Sequence, residues 1–543
     1  MSKVASYLQE HILGEVSTNP AILSAMSHDG SVLEIQPDMV VYPRVTSDIR
    51  KVARFAWQLA EKGHVLPLTA RGNGTDETGA AIGSGVIVSF PAHMNRIFEF
   101  DAKQKLVRLQ PGVNARSLND ALMLHGVGVP AFPYSATSST VGGAVANNAS
   151  GPLSGKYGDM SRWVHQLEVV LANGDILQTG RISKRELNKL KGKQTFEGEI
   201  YRNLDNLIED KKQLIEQKLV SDIRDNVGYS SIAKVKHKDG SFDLTPLFVG
   251  SQGTLGIISE MILKSEFMSA HVAIAVAAFT SINAARDALD ELSLLEPAFL
   301  EYFDGELFTL AAAQGKRYSF NQAAVDTPKA VVVIGFDDFN EHARAKKLKK
   351  VNKLLKKLDA LVTSADGEEA AELMAIREVS AYSLVPADND ASAPPLIDGA
   401  YVPRERFEDF SLAVAALADK YHIQMPLHSR VLENIFYARP SLQLKKVGDK
   451  QKIFKILDEY STLVDAHSGH LIAEDGEGRV KARFAYVPLD PEILELFTEV
   501  KAIFDPFNIL NPGVKQTLDI RELVSHLRAD YNLSLGANYV PYN

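Results

Sequence analysis

The sequence predicts an α+β protein of at least two domains. Three observations carry this. The chain has 543 residues, more than one hydrophobic core usually serves. Its first half alternates apolar runs of strand length with stretches of helical periodicity. After about residue 270 the pattern changes to strand (272–279), amphipathic helix (282–295) and strand (330–335), a spacing that suggests a separate α+β unit with its own sheet.

Taken in order, residues 1–37 read as helix closed by the polar turn Ser27-His28-Asp29-Gly30. The apolar run Met39-Val40-Val41-Tyr42 suits a short strand. Residues 46–62 read as a helix that Thr46 or Ser47 can cap, with Ile49, Val52, Phe55, Ala56 and Leu59 on one face. A strand at 65–69 runs into R-G-N-G-T-D. Strands at 85–90 and 106–110 follow, then a turn at Pro111-Gly112-Val113 and a helix over 115–126. Residues 167–171 and 175–179 form a hairpin about Asn173-Gly174. Residues 181–219 are polar and mostly helical. Residues 340–361 are lysine-dense with Leu348, Val351, Leu354, Leu355 and Leu358 on one face. That pattern suits an anionic membrane surface or a solvated face over a buried stripe. Residues 364–404 are loop-rich, with Pro386, Pro394, Pro395 and Pro403.

Composition narrows the function classes. Hydrophobic residues make up 45% and charged residues 23%, ordinary for a globular protein. The net charge of −9 argues against a general nucleic-acid binder. The absence of cysteine excludes disulfides, thiolate metal sites and a cysteine-held iron–sulfur cluster. The opening MSKVASYLQEHILGEV lacks a signal-peptide pattern, and no apolar run is long enough to span a bilayer. A cytoplasmic protein is expected, with the inner membrane face as the alternative that the lysine-dense stretch allows.

Three small-residue stretches carry the chemistry. The first is Arg71-Gly72-Asn73-Gly74-Thr75-Asp76 at a strand end. The second is residues 133–151, PYSATSSTVGGAVANNASG, nearly without charge. The third is Gly250-Ser251-Gln252-Gly253-Thr254-Leu255-Gly256, running into Ile257-Ile258. Residues without bulk let a backbone approach a ligand, and free N–H groups in such turns form anion-binding concavities. Hydroxyl and amide side chains add short hydrogen bonds. Each stretch alone also reads as a tight turn, and none is a Rossmann fingerprint or a P-loop.

In order along the chain stand Ser27-x-Asp29, Pro37 to Pro43, R-G-x-G-T at Arg71, Pro111-Gly112, T-V-G-G-x-x-x-N-N-A-S-G at Thr140, K-Y-G at Lys156, G-S-x-G-T-L-G at Gly250 and L-N-P-G-x-K at Leu510. This series resembles the vanillyl-alcohol oxidase / p-cresol methylhydroxylase flavoproteins, and more narrowly their D-lactate and glycolate dehydrogenase branch. The resemblance implies a two-lobed FAD-binding domain of the PCMH type over 1–270, a substrate cap with an antiparallel sheet over 271–490, and a segment at 491–543 that returns to the flavin. It implies that Arg71 to Asp76 wraps FAD together with Pro133, Thr140, Gly142, Gly143, Asn147, Ala149, Ser150 and Gly151. Gly253, Gly256 and Ile258 would line the nucleotide, with Asn511 near the isoalloxazine. Gln252 stands where the family usually has Glu.

For the substrate half, oxidation of a 2-hydroxy acid needs a cation for the carboxylate, a base for the hydroxyl proton and a hydride acceptor. The branch supplies an Arg in W-x-x-R-E, a metal on two histidines and a glutamate, and a catalytic histidine in G-E-H-G. Here Leu373 to Glu378 matches the first segment without its Trp, which makes Arg377 the candidate clamp. Residues 395–403 resemble the family's I-E-D-x-A-V-P segment. His428 stands for one metal ligand, and the second falls on Phe436 or Tyr437. Glu474 is retained, and the catalytic histidine is replaced by Asp475. One His and one Glu make a poor site, so no metal is expected. Asp475 or His428 would take the proton; His467 and His470 lie nearby in sequence.

The resulting expectation is an FAD-linked dehydrogenase or oxidase acting on a small hydroxy acid, D-lactate-like, with electrons passing to a quinone, cytochrome or carrier protein. Two rivals stand beside it: a flavin-binding protein whose cap now binds a ligand or partner, and an oxidase of other alcohols or sugars. A polar cavity where Arg377 and Glu474 converge favours the enzyme, and a cavity plugged by Phe436, Tyr437 or the 386–403 loop favours the binder.

Overall fold

The computed structural model describes residues 3–221, 223–318, 328–384, 391–529 and 531. Pro386 and the last part of the 491–543 segment lie outside the described residues. Three main sheets organise the rest. The first holds β1 (Glu15–Ser17), β2 (Met39–Tyr42), β3 (Leu68–Arg71) and β4 (Val86–Ser89) in the order β1-β2-β4-β3. β4 runs parallel to both β2 and β3, while β1 is antiparallel. Parallel strands are covered on both faces, which is why β4 reads V-I-V-S without alternation and is buried throughout. The helix Thr46–Ala60 crosses over this sheet, burying Ile49, Val52, Ala53 and Ala56.

That helix is not capped by Thr46 or Ser47. Val45 occupies the cap position, and no side chain caps it. Asp48 instead accepts hydrogen bonds from the N–H groups of Leu13 (2.8 Å), Gly14 (3.1 Å) and Arg44 (3.0 Å), which ties down the N-terminal segment. That segment is not one helix. Lys3–His11 and Pro20–Met26 are separated by β1, because Gly14 lies flat on the Tyr42 carbonyl and Asn19-Pro20 starts a new helix.

The second sheet is antiparallel and contains β5 (Ile97–Asp101), β6 (Leu106–Leu109), β8 (Val164–Val170), β9 (Ile176–Gln178) and β10 (Ile257–Lys264), in the order β5-β6-β10-β8-β9. A small pair, β7 (Val127–Gly128) and β11 (Glu266–Phe267), lies apart. β5 gives no sequence signal because it is a largely exposed edge strand.

The third sheet, also antiparallel, has seven strands: β12 (Ala273–Phe279), β13 (Phe299–Asp304), β14 (Ala330–Phe336), β15 (Leu361–Asp366), β16 (Ala400–Tyr401), β17 (Leu427–Arg430) and β18 (Ile435–Ala438). Their order is β15-β12-β14-β13-β17-β18-β16. The lysine-rich helix Glu341–Lys357 packs on its β12–β15 end and buries Val351 and Leu355. The apolar stripe is therefore covered by protein, and the lysines form the solvated face. Among the described residues no helix is long and apolar enough to cross a membrane. After the helix Pro491–Phe504 the chain returns to the first sheet: Leu68 N donates to Ile509 O (2.7 Å), and Asn511 N donates to Leu68 O (2.8 Å).

Candidate active site

The three small-residue turns converge. β3 ends the first sheet at Arg71, the short helix Val141–Ala146 starts at its cap Thr140, and β10 begins just after the third turn. Asn73 Nδ2 donates to Ser138 O (2.6 Å), and Asn147 Nδ2 donates to Asp76 Oδ1 (2.9 Å), joining the first two. Gln252 N donates to Ala146 O (2.8 Å), joining the third to the second. The Gln252 side chain spans all of them. Its Nε2 donates to Thr78 Oγ1 (3.1 Å) and Asn147 Oδ1 (3.2 Å), and its Oε1 accepts from Gly478 N (3.0 Å). An amide both donates and accepts; a carboxylate only accepts.

A narrow cavity of about 90 Å³ runs between the turns, lined by Arg71 to Asp76, Thr140, Gly142, Gly143, Asn147, Gly253, Gly256 and Ile258. It adjoins a larger cavity of about 420 Å³ under the third sheet, since Thr75, Gly143 and Asn147 line both. Pro133 and Ala149 line the larger one. The donor chemistry fits a dinucleotide diphosphate. The N–H groups of Asn73, Gly74 and Gly253 donate to no described residue, and Ser139 Oγ is buried without a partner among the described residues. Gly253 has φ +71° and nothing closer than 3.7 Å where a side chain would start, so its bare backbone faces the cavity.

Other glycines act by close packing. A Cβ on Gly72 would lie 2.1 Å from Thr140 Oγ1, and one on Gly256 would lie 2.3 Å from Val169 Cγ1.

Several expected cofactor residues are engaged by the protein itself. Arg71 directs its guanidinium at backbone, with Nη1 donating to Ala81 O (3.0 Å) and Nη2 to His28 O (2.7 Å). The Asp76 carboxylate accepts from Thr78, Ala80 and Asn147. Ser150, Gly151 and Asn511 line neither cavity. Ser150 Oγ donates to Glu474 (2.9 Å), and Gly151 packs on the Phe132 carbonyl. Asn511 Nδ2 donates to Ala80 O and Gln252 O, both at 2.8 Å, and thereby pins the returning segment behind the third turn.

The larger cavity gathers all four candidate catalytic residues, Arg377, His428, Glu474 and Asp475. Strand alternation explains the sheet side. β13 pairs with β17, and β17 with β18, so that Phe303, His428 and Tyr437 lie in register. His428 stacks between Phe303 (4.3 Å) and Tyr437 (4.9 Å). Tyr437 is thus the residue opposite His428. Phe436 points to the other face and packs on Phe407 and Phe410. Among the described residues no cluster of metal-binding side chains forms. His467 and His470 do not line the cavity.

The charges are mostly paired. Arg377 is buried and grips Glu301 through Nε and Nη2, both at 2.7 Å, while its guanidinium stacks 3.6 Å from the Phe299 ring centre. The fork expected to hold a substrate acid already holds a carboxylate of the protein. Glu474 accepts from Ser150, from the Tyr437 hydroxyl and from Arg430 Nη2 (3.1 Å). His428 Nε2 is buried without a hydrogen bond among the described residues. Burial, with Arg439, Arg430 and Arg377 nearby, holds this imidazole well below its ordinary pKa and therefore neutral. Asp475 is pushed well above the ordinary carboxylate range by burial and by Glu474, Glu77 and Asp76.

Sequence reasoning missed Glu77, Tyr134, Glu301 and Arg439. A lone Glu in the apolar run F-L-E-Y-F and the alternation of Tyr437 with Arg439 were the available signals for two of them. Arg439 Nε donates to Asp398 Oδ2 (2.8 Å) and Nη1 to Ser380 O (3.2 Å).

Residues 37–180 match the model of an FAD binding domain, and residues 268–514 match that of the C-terminal domain of FAD linked oxidases. D-2-hydroxyglutarate dehydrogenase of Escherichia coli (strain K12) is 28% identical over 517 residues, covering 93% of this chain and 50% of that protein. The chain thus spans about half the length of that relative. Glycolate oxidase subunit GlcD of Bacillus subtilis (strain 168) is 28% identical over 495 residues, covering 90% of this chain and 91% of the relative. Among solved structures, p-cresol methylhydroxylase with substrate bound has a similar fold, with a TM-score of 0.68 at 13% identity over 95% of this chain and 96% of that one.

Proposed function

The chain belongs to the FAD-linked oxidases and dehydrogenases, and we propose that it oxidises a small 2-hydroxy acid of the D-lactate type and passes the electrons to an external acceptor. The observation that carries this is one cavity, lined by Arg377, His428, Glu474 and Asp475, adjoining the cofactor cleft at Thr75, Gly143 and Asn147. Relatives named for D-2-hydroxyglutarate and glycolate support the substrate class. In this reading residues 1–270 hold the cofactor, 271–490 form the cap and 491–543 return to the first sheet.

Backbone N–H groups of Asn73, Gly74 and Gly253 would hold the diphosphate, with Thr75 and Thr140 adding side-chain contacts. Bound FAD supplies the hydride acceptor at flavin N5. Asp475 takes the hydroxyl proton. Neutral His428, walled in by two aromatic rings, accepts or donates one hydrogen bond at Nε2 and orients the substrate. Arg439 is the guanidinium for the substrate carboxylate. It lines the cavity, and its Nη2 has no hydrogen bond among the described residues, whereas the Arg377 fork is closed by Glu301.

The pairing of Arg377 with Glu301 also supports a second reading, an alcohol oxidase whose substrate carries no carboxylate. Anaerobic titration of the FAD-loaded protein with D- and L-lactate, glycolate, D-2-hydroxyglutarate and neutral alcohols decides between them. Bleaching of the flavin band by D-hydroxy acids is the expected result. Bleaching by neutral alcohols alone overturns the first reading.

A further inference from the structure

Glu301 stands in the middle of β13, in an otherwise apolar run, and is buried. Both of its carboxylate oxygens are held. Oε2 accepts from Arg377 Nε (2.7 Å), and Oε1 accepts from Arg377 Nη2 (2.7 Å) and from the Tyr134 hydroxyl. Phe299, two residues earlier on the same face of the strand, stacks against the guanidinium at 3.6 Å. A guanidinium fork, a phenol and a supporting ring form the donor set of a carboxylate-binding site. Here the carboxylate is tethered to the sheet.

The tether leaves nothing for a second carboxylate. A guanidinium grips a carboxylate with two parallel bonds along either of two edges, and Nη2 belongs to both. One N–H of Nη2 goes to Glu301 and the other to Pro152 O (3.1 Å). Arg430, which lies opposite Glu301 in the β13–β17 register, is taken up by Ser150, Glu433 and Glu474. Stability alone does not explain the pair, because a buried ion pair adds little over two apolar side chains.

Arg377, Tyr134, Ser380 and Arg439 line the larger cavity, and Glu301 closes the wall behind the first two. Arg377 and Ser380 lie three residues apart in the 3₁₀ helix Ala375–Leu384, one turn or roughly 6 Å along its axis. Arg439 Nη1 donates to Ser380 O (3.2 Å). The two guanidinium groups are therefore anchored about one turn apart, a spacing that a short acid with a carboxylate at each end would bridge.

We propose that Glu301 is a specificity-determining residue: it withholds the Arg377 fork from the cavity and so confines the protein to 2-hydroxy acids with one carboxylate. This rests on the reading of Arg439 as the guanidinium for that carboxylate. A second carboxylate reaching Arg377 meets the charge of Glu301 and finds no free pair of donors.

The test has two arms, neither of which needs turnover. In the first, FAD-loaded protein is titrated with pyruvate and 2-oxoglutarate, and binding is read from the shift of the flavin absorption band. The wild type should bind pyruvate at least as tightly as 2-oxoglutarate. In Glu301→Gln the ratio of affinities should move toward 2-oxoglutarate by roughly 10- to 100-fold, the gain of one charge-assisted pair. A ratio that stays fixed overturns the proposal, since a pair that only braces the sheet would affect both acids alike. In the second arm, Glu301→Ala leaves the guanidinium without its partner. Added acetate should raise the melting temperature of this variant and leave unmoved both the wild type and the double variant Arg377→Met, Glu301→Ala. Equal shifts in all three overturn the proposal. Should no protein bind either oxo acid, the reading of Arg439 falls, and the acetate shift alone upholds or overturns the role of Glu301.

Discussion

In the cofactor cleft the side chains are bound to the protein and the backbone is left for a ligand. Arg71, Asp76, Asn147 and Gln252 have their polar atoms engaged within the fold, while the N–H groups of Asn73, Gly74 and Gly253 face the space between the turns. In the cap cavity the arrangement is reversed. The strands β13, β17 and β18 pair through their backbones, and the side chains of Glu77 and Asp475 and Nε2 of His428 face the cavity without hydrogen-bond partners among the described residues. A backbone site of this kind suits a diphosphate that does not change during turnover. Side-chain groups with displaced pKa values can exchange protons with a substrate that does. The two regions should therefore fail in different ways when altered.

The largest contrast is expected from Asp475→Asn. It should lower the rate of flavin reduction by roughly 10²–10⁴-fold while leaving FAD affinity unchanged. Stopped-flow reduction and a flavin fluorescence titration on the same protein measure both. A parallel loss of FAD affinity would erase the division between cleft and cavity.

Arg377→Ala tests the cap from the structural side. Removing one member of a buried, bidentate ion pair leaves Glu301 uncompensated and should cost about 3–5 kcal/mol. Denaturant unfolding of the variant gives the value. Adding Glu301→Gln should return part of it, because the unpaired charge is then gone. Full stability with only a raised KM for hydroxy acids would show that the arginine serves the substrate.

In the cleft, Gly72→Ala places a Cβ 2.1 Å from Thr140 Oγ1, so the first and second turns must separate. Overpacking of this kind costs about 1–3 kcal/mol, and FAD affinity should fall about 5- to 150-fold. The rate of reduction at saturating FAD should change little.

The same division explains what was legible in the sequence. The cofactor turns are local: Gly72, Gly143 and Gly253 sit in short runs of small residues whose composition reports a close backbone approach, and most of the expected residues line the cleft. Pro133 and Ala149 line the larger cavity instead, and Ser150 and Asn511 are held by Glu474, Ala80 and Gln252, which lie far from them in the chain, while Gly151 packs on the Phe132 carbonyl. The cap is assembled from distant strands. The partner of Arg377 is Glu301 on β13, and the residue opposite His428 is fixed by the β17–β18 register. The run F-L-E-Y-F marks Glu301 as an acid in an apolar strand but not as the partner of Arg377, and composition carries no trace of the strand register. Glu77 sits beside a glycine turn and reads as part of it until the segment at 475–480 is brought alongside.

The smallest effect is expected at Gln252, and it bears on how the cleft is joined to the cap. In Gln252→Glu, Oε1 still accepts from Gly478 N, but the donor to Thr78 Oγ1 and Asn147 Oδ1 is lost. The Thr78 hydroxyl already donates to Asp76, and Asn147 cannot reverse its amide without giving up its own bond to Asp76, so neither can donate to the new carboxylate without loss. Both bonds from Nε2 are then unmade, at a combined cost of about 1–3 kcal/mol. Because Gln252 touches both turns and the 475–480 segment, the loss should be divided between a modest fall in FAD affinity and a shift in the pH dependence of flavin reduction, which Asp475 sets. A fall in FAD affinity with an unmoved pH dependence would mean that the cleft and the proton-handling carboxylates are adjacent but uncoupled.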